Sequence, residues 1–455
     1  MRFWTAHKVE ISIFVLALLV RLVYLGAAIH YNGGDLVSAV QGADGYFAVA
    51  QNIIDGHGFS DSTVPPYLPY SFRPPLQHYF IAGSYFLFGG FAGAILFELL
   101  LGSLLPLLAM RVVSYLFSRR IVVITGILLA LEPVAILFSG LFYSETLFMF
   151  FFFISLLYLF KYLKGSQIRY LLYSACYMGF ATLTRPTSEY VPILIAGILL
   201  WEGRKIIFTR VVAGHVALYL TASFLVLAPW FWRNKILFGE MALSPQIGVN
   251  LYANVVPSVL SIENGTSYAI EQQKLLQTGV KGPNGTAIGE DKGYTQIALG
   301  ILLQHPKVFF WSSMNTLLAF FTHDGMFDVL KHIGLRPDVL LGQPALFLLL
   351  SNPAKLFGII GYYLTKPAIL ILFARIIWSL VTVLFFIGAW RYLKREGVTP
   401  YALIAIVNVL YFAVITLSLG LTINSRYRLP VEFLIIPFAL YGLLYCKTLW
   451  HHYQS

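Results

Sequence analysis

Val9-Glu10-Ile11-Ser12-Ile13-Phe14-Val15-Leu16-Ala17-Leu18-Leu19-Val20-Arg21-Leu22-Val23-Tyr24-Leu25-Gly26-Ala27-Ala28-Ile29 is the first apolar run of the chain, and its reading decides the fold. At about 1.5 Å of rise per residue, a helix of this length matches the roughly 30 Å hydrocarbon core of a bilayer. It lacks a small-residue cleavage site, so it reads as an uncleaved first span rather than a signal peptide. Arg2 and Lys8 then keep the amino terminus in the cytoplasm.

Nine further runs of similar character follow, near 93–116, 121–139, 145–163, 169–184, 188–202, 211–232, 368–390, 400–419 and 429–446. Composition agrees with a membrane protein. Of 455 residues, 58% are hydrophobic and only 11% charged, less than half the roughly 25% charged residues of an average soluble domain. A cytosolic enzyme, a disordered chain and a disulfide scaffold are thereby excluded. The net charge of +11 raises the question of nucleic acid, but the clusters Arg119-Arg120, Lys161 with Lys164, Arg204-Lys205 and Arg391 with Lys394-Arg395 lie between apolar runs. That is the positive-inside pattern of cytoplasmic loops, and no nucleic-acid partner is expected. Cys176 and Cys446 lie in apolar stretches and read as small buried hydrophobes.

These features predict an all-α polytopic integral membrane protein of about 10–12 transmembrane helices with a helical first outer loop. Three regions are expected: an N-terminal membrane module at 1–232 containing that loop at 30–92, an outer-side region at 233–367 with membrane-associated helices, and C-terminal transmembrane helices at 368–455. The apolar runs 308–321 and 339–363 either cross as a pair or lie along the outer surface. The second is favoured, because His323, Asp324, Asp328, Lys331, His332, Arg336 and Asp338 crowd the connection between them. Residues 240–305 are an expected seat of specificity, since loops on a fixed scaffold carry such variation.

The first outer loop is acidic, with Asp35, Asp44, Asp55 and Asp61 against a single cation, Arg73. Tyr46, Phe47, Ala50, Ile53 and Ile54 recur at helical spacing, which predicts a short amphipathic helix with Asp44 at its start and Gly56 at its end. Asp44 reads either as an N-cap or as a general base at the water–lipid boundary. Arg73, followed by Pro74 and Pro75, reads as a headgroup anchor or a phosphate clamp. Glu145 suits the dipole of a first helical turn, and Arg185, Arg233, Arg426 and Arg428 join Arg73 at outer-side turns, where an anionic ligand would suit them together. Arg21, Glu98 and Glu132 fall inside spans, where unpaired charge is expensive; structural pairing is expected of them. The histidines show no metal-ligand spacing, so no catalytic metal and no cofactor is expected. The tripeptides at Asn264 and Asn284 match glycosylation acceptors, a pattern frequent by chance.

The order of these pieces resembles the GT-C type membrane glycosyltransferases, specifically glycosyltransferase family 39 and the superfamily of protein O-mannosyltransferases and aminoarabinose transferases. The resemblance rests on Asp44, Tyr46, Ala50, Gly56, Gly58 and Phe59; on Arg73-Pro74-Pro75; on Ser144-Glu145-Thr146-Leu147; and on Leu183-Thr184-Arg185-Pro186. It extends to Pro229-Trp230 with Arg233-Asn234, to Gly248-Val249-Asn250-Leu251, and to Ser425-Arg426-Tyr427-Arg428-Leu429-Pro430. It implies an inverting enzyme that moves a sugar from a polyprenyl-phosphate donor to a protein, lipid or glycan acceptor on the extracytoplasmic side of the plasma (inner) membrane. Asp44 would be the base, and Arg73, Arg233 and Arg426 would hold the donor phosphate; Glu145, Arg185, Tyr46 and Arg428 would support the site. Family members commonly have an Asp-Glu pair where this chain has Asp44-Gly45, so the second carboxylate's role is absent or taken elsewhere. A flippase or transporter of lipid-linked sugars, and a ligase or polymerase using a polyprenyl-diphosphate donor, are the competing readings.

Overall fold

The computed structural model describes residues 7–203, 210–277, 287–335, 353–364 and 368–454, and every regular element among them is helical. Arg2, Arg204, Lys205, Arg336, Asp338, the tripeptide at Asn284 and residues 339–352 lie outside the described residues. The chain divides into two compact units. The first comprises Met1–Trp230, Val381–Leu410 and Leu429–Ser455; the second comprises Phe231–Leu380 and Tyr411–Arg428.

In chain order the helices of the amino-terminal part are α1 (Lys8–Tyr31), α2 (Leu36–Val40), α3 (Tyr46–Ile54), α4 (Leu76–Phe88), α5 (Phe91–Val113), α6 (Arg119–Ala130), α7 (Pro133–Ser139), α8 (Glu145–Gly165), α9 (Ile168–Thr184), α10 (Val191–Gly203) and α11 (Arg210–Phe238). Next come α12 (Gln246–Asn250), α13 (Val256–Glu263), α14 (Tyr268–Gln277), α15 (Ala287–Gln304), α16 (Pro306–Thr322), α17 (Met326–His332) and α18 (Pro353–Tyr363). Three long helices, α19 (Ala368–Glu396), α20 (Pro400–Ile415) and α21 (Leu429–Gln454), close the chain. In hydrocarbon each backbone polar group must be satisfied within its own segment, which is why such apolar runs fold as helices.

Among the described residues, seven helices are long and apolar enough to cross a membrane: α1, α5, α8, α11, α19, α20 with the turn after it, and α21. The protein is an integral membrane protein. The other three of the ten runs differ from simple spans for local reasons. The run at 121–139 is α6 and α7, bent by 54°; taken as one span the pair makes an eighth crossing. Pro133 holds Glu132 in an extended conformation (ψ 116°), and the Glu132 carboxylate then accepts the Ala135 N–H as the N-cap of α7. The run at 169–184 is α9, only 17 residues long, because Pro186 keeps Arg185 extended (φ −149°) and ends the helix. The run at 188–202 yields the 13-residue α10.

The bend explains a charge inside the bundle. Arg21 of α1 is buried, and its Nη1 donates to the Ala17 carbonyl at 3.0 Å and to the Ala130 carbonyl, at the end of α6, at 3.2 Å. Carbonyls at a helix end have no intrahelical partner. Arg21 supplies one, with Glu132 close enough to act on its charge, so the structural pairing expected of these two residues is present.

Elsewhere in the first unit α8 packs along α9 and α5. Ser155 Oγ donates to the Ser174 carbonyl at 2.8 Å, and Phe153 meets Phe433 of α21 with ring centroids 4.0 Å apart. The second unit has its own core of Tyr252, Val255, Val256, Val259, Ala298 and Leu302. There the Asp291 carboxylate accepts the Gly248 N–H at 2.7 Å and fixes the start of α12.

Helices α19 and α21 approach each other backbone to backbone at Gly388 and Gly442, as small residues permit in membranes. A Cβ at Gly388 would lie 1.8 Å from the Phe438 carbonyl oxygen, and one at Gly442 would lie 2.3 Å from that of Leu384. Gly388→Ala is therefore expected to destabilise the protein by about 1–3 kcal/mol, seen as a lower melting temperature in detergent. Gly26→Ala is the control, since a Cβ there meets nothing within 4 Å; it should leave the melting temperature unchanged or slightly higher.

Candidate functional site

The site grows from the turn before α3. Gly45, in the left-handed region at φ 78°, occupies the N-cap position of α3, so Asp44 stands one residue outside the helix and does not cap it. Its carboxylate instead faces Arg73, with Nη2 3.6 Å from Oδ2, and both side chains remain partly exposed at 17% and 20%. Arg73 also donates from Nη1 to Tyr46 Oη at 3.3 Å. Its guanidinium carbon lies 4.7 Å from the Tyr46 ring centre and 5.5 Å from that of Phe72. A planar cation over an aromatic face is attracted by the ring's quadrupole. Pro74 and Pro75 then set the direction of the chain into α4.

His78, in the first turn of α4, anchors this corner from behind. It is fully buried, donates from Nδ1 to the Pro74 carbonyl at 3.1 Å, and packs its ring 5.0 Å from both Tyr46 and Phe59. Burial, with the nearby Arg73 charge, lowers its pKa to about 3, so the ring is neutral at ordinary pH. Burial raises the phenol of neighbouring Tyr70 well above its usual range, against the pull of Arg73; Tyr70 is thus a neutral hydroxyl beside the guanidinium. Phe59 also touches Trp230 of α11, ring centres 5.2 Å apart.

A second layer lies beneath. Tyr46 Oη donates to Ser144 Oγ at 2.9 Å, and Ser144 is the N-cap position of α8. The next residue, Glu145, is completely buried and bonded by Arg185 Nη1, from the break after α9. Glu98 of α5 is also fully buried, next to Gln77 and within electrostatic reach of Glu145. Asp44, Tyr46, Arg73, Glu145 and Arg185 therefore form one connected set.

Residues 72–232 match the protein family described as Dolichyl-phosphate-mannose-protein mannosyltransferase. Over this segment, about a third of the chain, the sequence is similar to GT-C type glycosyltransferases. Among solved structures the chain is similar to the oligosaccharyltransferase of Archaeoglobus fulgidus tethered with an acceptor peptide, at 14% identity and a TM-score of 0.48, over 100% of this chain and 51% of that one. It is similar to the same oligosaccharyltransferase, AglB, in complex with an inhibitory peptide and a dolichol-phosphate, at 13% identity, over 99% and 52% of the two chains, TM-score 0.48. A third is ArnT from Cupriavidus metallidurans bound to undecaprenyl phosphate, at 13% identity, over 94% and 77%, TM-score 0.39. The chain spans about half the length of the archaeal oligosaccharyltransferase. No curated protein matches the sequence.

The GT-C type resemblance read from the sequence is thus present over the segment that carries Arg73, Glu145, Arg185 and Trp230. The other three arginines belong to the second unit. Arg233 donates to Asn234 Oδ1 at 2.8 Å and lies over the Phe238 ring. Arg426 sits in a short turn whose N-cap, Asn424, accepts its backbone N–H at 3.1 Å. Arg428 is fully buried, 3.6 Å over Trp378, and donates from Nη1 to the carbonyls of Phe320 and Phe321 at the end of α16. His78 and Tyr70 were given no part in the site by the sequence reading, and Ser144 entered it only within the Ser144-Glu145-Thr146-Leu147 motif. His78 carries a signal in hindsight: four residues after Pro74, it falls where a helix that starts after Pro-Pro turns its side chain back toward that break.

The buried ion pair gives one prediction. Arg185→Met leaves the Glu145 carboxylate buried without that cation and should cost about 3–5 kcal/mol; Glu145→Leu combined with Arg185→Met should recover most of it, measured by denaturant unfolding in detergent. His78 gives another. An unfolded histidine takes up its proton near 6.5, the folded one only near 3. Unfolding thus binds a proton between these values, and stability is lost as pH falls below 6.5, by up to about 1.4 kcal/mol per pH unit. His78→Gln should lack this slope when unfolding is compared at pH 7.5, 5.5 and 4.5.

Proposed function

We propose that the protein is an inverting glycosyltransferase that moves a sugar from a polyprenyl-phosphate donor to an acceptor on the extracytoplasmic side of the membrane. The observation that carries this reading is the partly exposed carboxylate of Asp44 beside the ring-stacked guanidinium of Arg73, in a chain whose adjoining segment matches a family of lipid-phosphate-dependent mannosyltransferases. A polyprenyl tail dissolves in the bilayer and leaves its phosphate and sugar at the headgroup plane, so the donor reaches such a site without a soluble nucleotide-sugar domain.

In this mechanism Asp44 takes the proton of an acceptor hydroxyl or amine as that group attacks the anomeric carbon. The bond from that carbon to the phosphate oxygen breaks, the configuration inverts, and polyprenyl phosphate leaves with the bonding electrons. Arg73 stabilises the charge that develops on the leaving phosphate through a fork already oriented by Tyr46 and Phe72. The proton then passes to water, which the exposed part of Asp44 reaches. Acceptor choice is assigned to residues 240–305, in the second unit.

The test is reconstitution in vesicles with a panel of radiolabelled undecaprenyl-phosphate hexoses and pentoses plus a cell-envelope extract as the acceptor source, following release of undecaprenyl phosphate. Asp44→Asn is expected to slow release by about two to four orders of magnitude while inserting normally in the membrane. Arg73→Lys should retain only part of the rate, since an ammonium keeps the charge and loses the planar fork. Unaltered release by Asp44→Asn sinks the assignment. Net lipid movement across the bilayer without release points to a flippase, and preference for an undecaprenyl-diphosphate donor points to a ligase or polymerase. The part expected of Arg233 and Arg426 is read from their own alanine variants, as raised KM for the donor.

A further inference from the structure

The segment that carries Asp44 is a short turn between α2 and α3, with a glycine on each side of the Ala43-Asp44 pair: Gly42 at φ 65° and Gly45 at φ 78°. Such a turn has no stiffness of its own. Three hydrogen bonds nevertheless tie it to one short stretch, Phe142-Tyr143-Ser144, a hundred residues away. The Phe142 N–H donates to the Val40 carbonyl at 2.8 Å, the Ala43 N–H donates to Tyr143 Oη at 2.8 Å, and Tyr46 Oη donates to Ser144 Oγ at 2.9 Å. The bonds precede, flank and follow Asp44, so the carboxylate is held between fixed points.

The middle bond is reinforced by packing. Gly42 lies flat on the Tyr143 ring, where a Cβ would come within 2.2 Å of a ring carbon. The ring also meets Phe138, stacked at 5.5 Å, and Tyr46 at 6.5 Å. Tyr143 is therefore wedged, with its hydroxyl aimed at the one backbone N–H next to Asp44. The residue after this stretch, Glu145, is locked to Arg185, so the far end of the strap is rigid.

We infer that Tyr143 is a positioning residue: through the Ala43 N–H it fixes Asp44 opposite Arg73, and the Phe142–Glu145 stretch serves to hold the reactive carboxylate. This rests on the reading of Asp44 as the base. A 1 Å misplacement of a reacting group can cost about a hundredfold in rate, and a loosened turn would also let Asp44 drift from Arg73.

The experiment compares Tyr143→Phe with the wild-type protein in lipid nanodiscs. The variant keeps the ring under Gly42 and loses only the hydroxyl, so folding is expected to survive. Hydrogen exchange in peptides covering residues 41–46 should speed up by about tenfold or more, the amide having lost its acceptor, with peptides from α8 and α5 unchanged. In the undecaprenyl-phosphate sugar assay, kcat should fall about ten- to a hundredfold at unchanged donor KM. Gly42→Ala, which forces the turn off the ring, should reproduce both effects. Unchanged exchange at 41–46, or faster exchange with unchanged kcat, overturns the strap. The exchange readout does not depend on glycosyl transfer, so a fully active Asp44→Asn beside altered exchange would instead overturn the assignment of the base.

Discussion

The bond between Arg185 and Glu145 is the constraint on which the first unit's site depends. A carboxylate with no exposed surface is tolerated only when its charge is met nearby, and here the cation comes from the break that ends α9. That requirement fixes where α8 begins, because Glu145 is its first residue. It also fixes Ser144, whose hydroxyl receives the Tyr46 hydroxyl, which in turn receives a bond from Arg73. The exposed pair of Asp44 and Arg73 is thus the outer end of a hydrogen-bonded chain that starts from a buried ion pair.

Prolines place the ends of this chain. Pro186 halts α9 so that Arg185 points away from helical geometry, Pro74 and Pro75 deliver Arg73 to the lip of α4, and Pro133 bends the α6–α7 pair so that an open carbonyl meets Arg21. Each break exposes backbone groups that would be costly in hydrocarbon. At the Pro133 break an arginine and a glutamate of the same unit satisfy those groups, as Arg21 does for Ala130 and Glu132 for Ala135. The helix breaks and the buried charges are one arrangement seen from two directions.

How much of this was legible follows from the kind of signal each element leaves. Helical character and membrane placement are written in the length of apolar runs such as 9–29, and they appear as expected. The runs at 169–184 and 188–202 read as spans because hydropathy averages over a window, whereas the described helices there are 17 and 13 residues long, α9 ending where Pro186 keeps Arg185 extended. The role of Asp44 was left open between cap and base for a physical reason. An N-cap and an ion-paired carboxylate share the same local sequence, and only the φ of Gly45 and the distance to Arg73 separate them. His78 and Tyr143 were out of reach because their significance lies in contacts, to Pro74 and to Ala43, that no periodicity reports.

The charge pattern grouped Arg73, Arg185, Arg233, Arg426 and Arg428 as outer-side cations, set apart from the clusters of cytoplasmic loops, and the family resemblance separated Arg73 from Arg185 and Arg428. Their burial divides them. Arg428 is 0% exposed and its Nη1 is taken by two helix-end carbonyls; Arg185 is 7% exposed and bound to Glu145. Both hold the fold together, and a ligand that drew either away would expose a buried polar group, at about 1–3 kcal/mol or more. Arg73 keeps 17% of its side chain open, and its partner Asp44 sits at a distance beyond a direct hydrogen bond. An anionic phosphodiester arriving there would exchange a loose contact for a close one, so among these three Arg73 is the arginine whose surroundings suit the proposed donor.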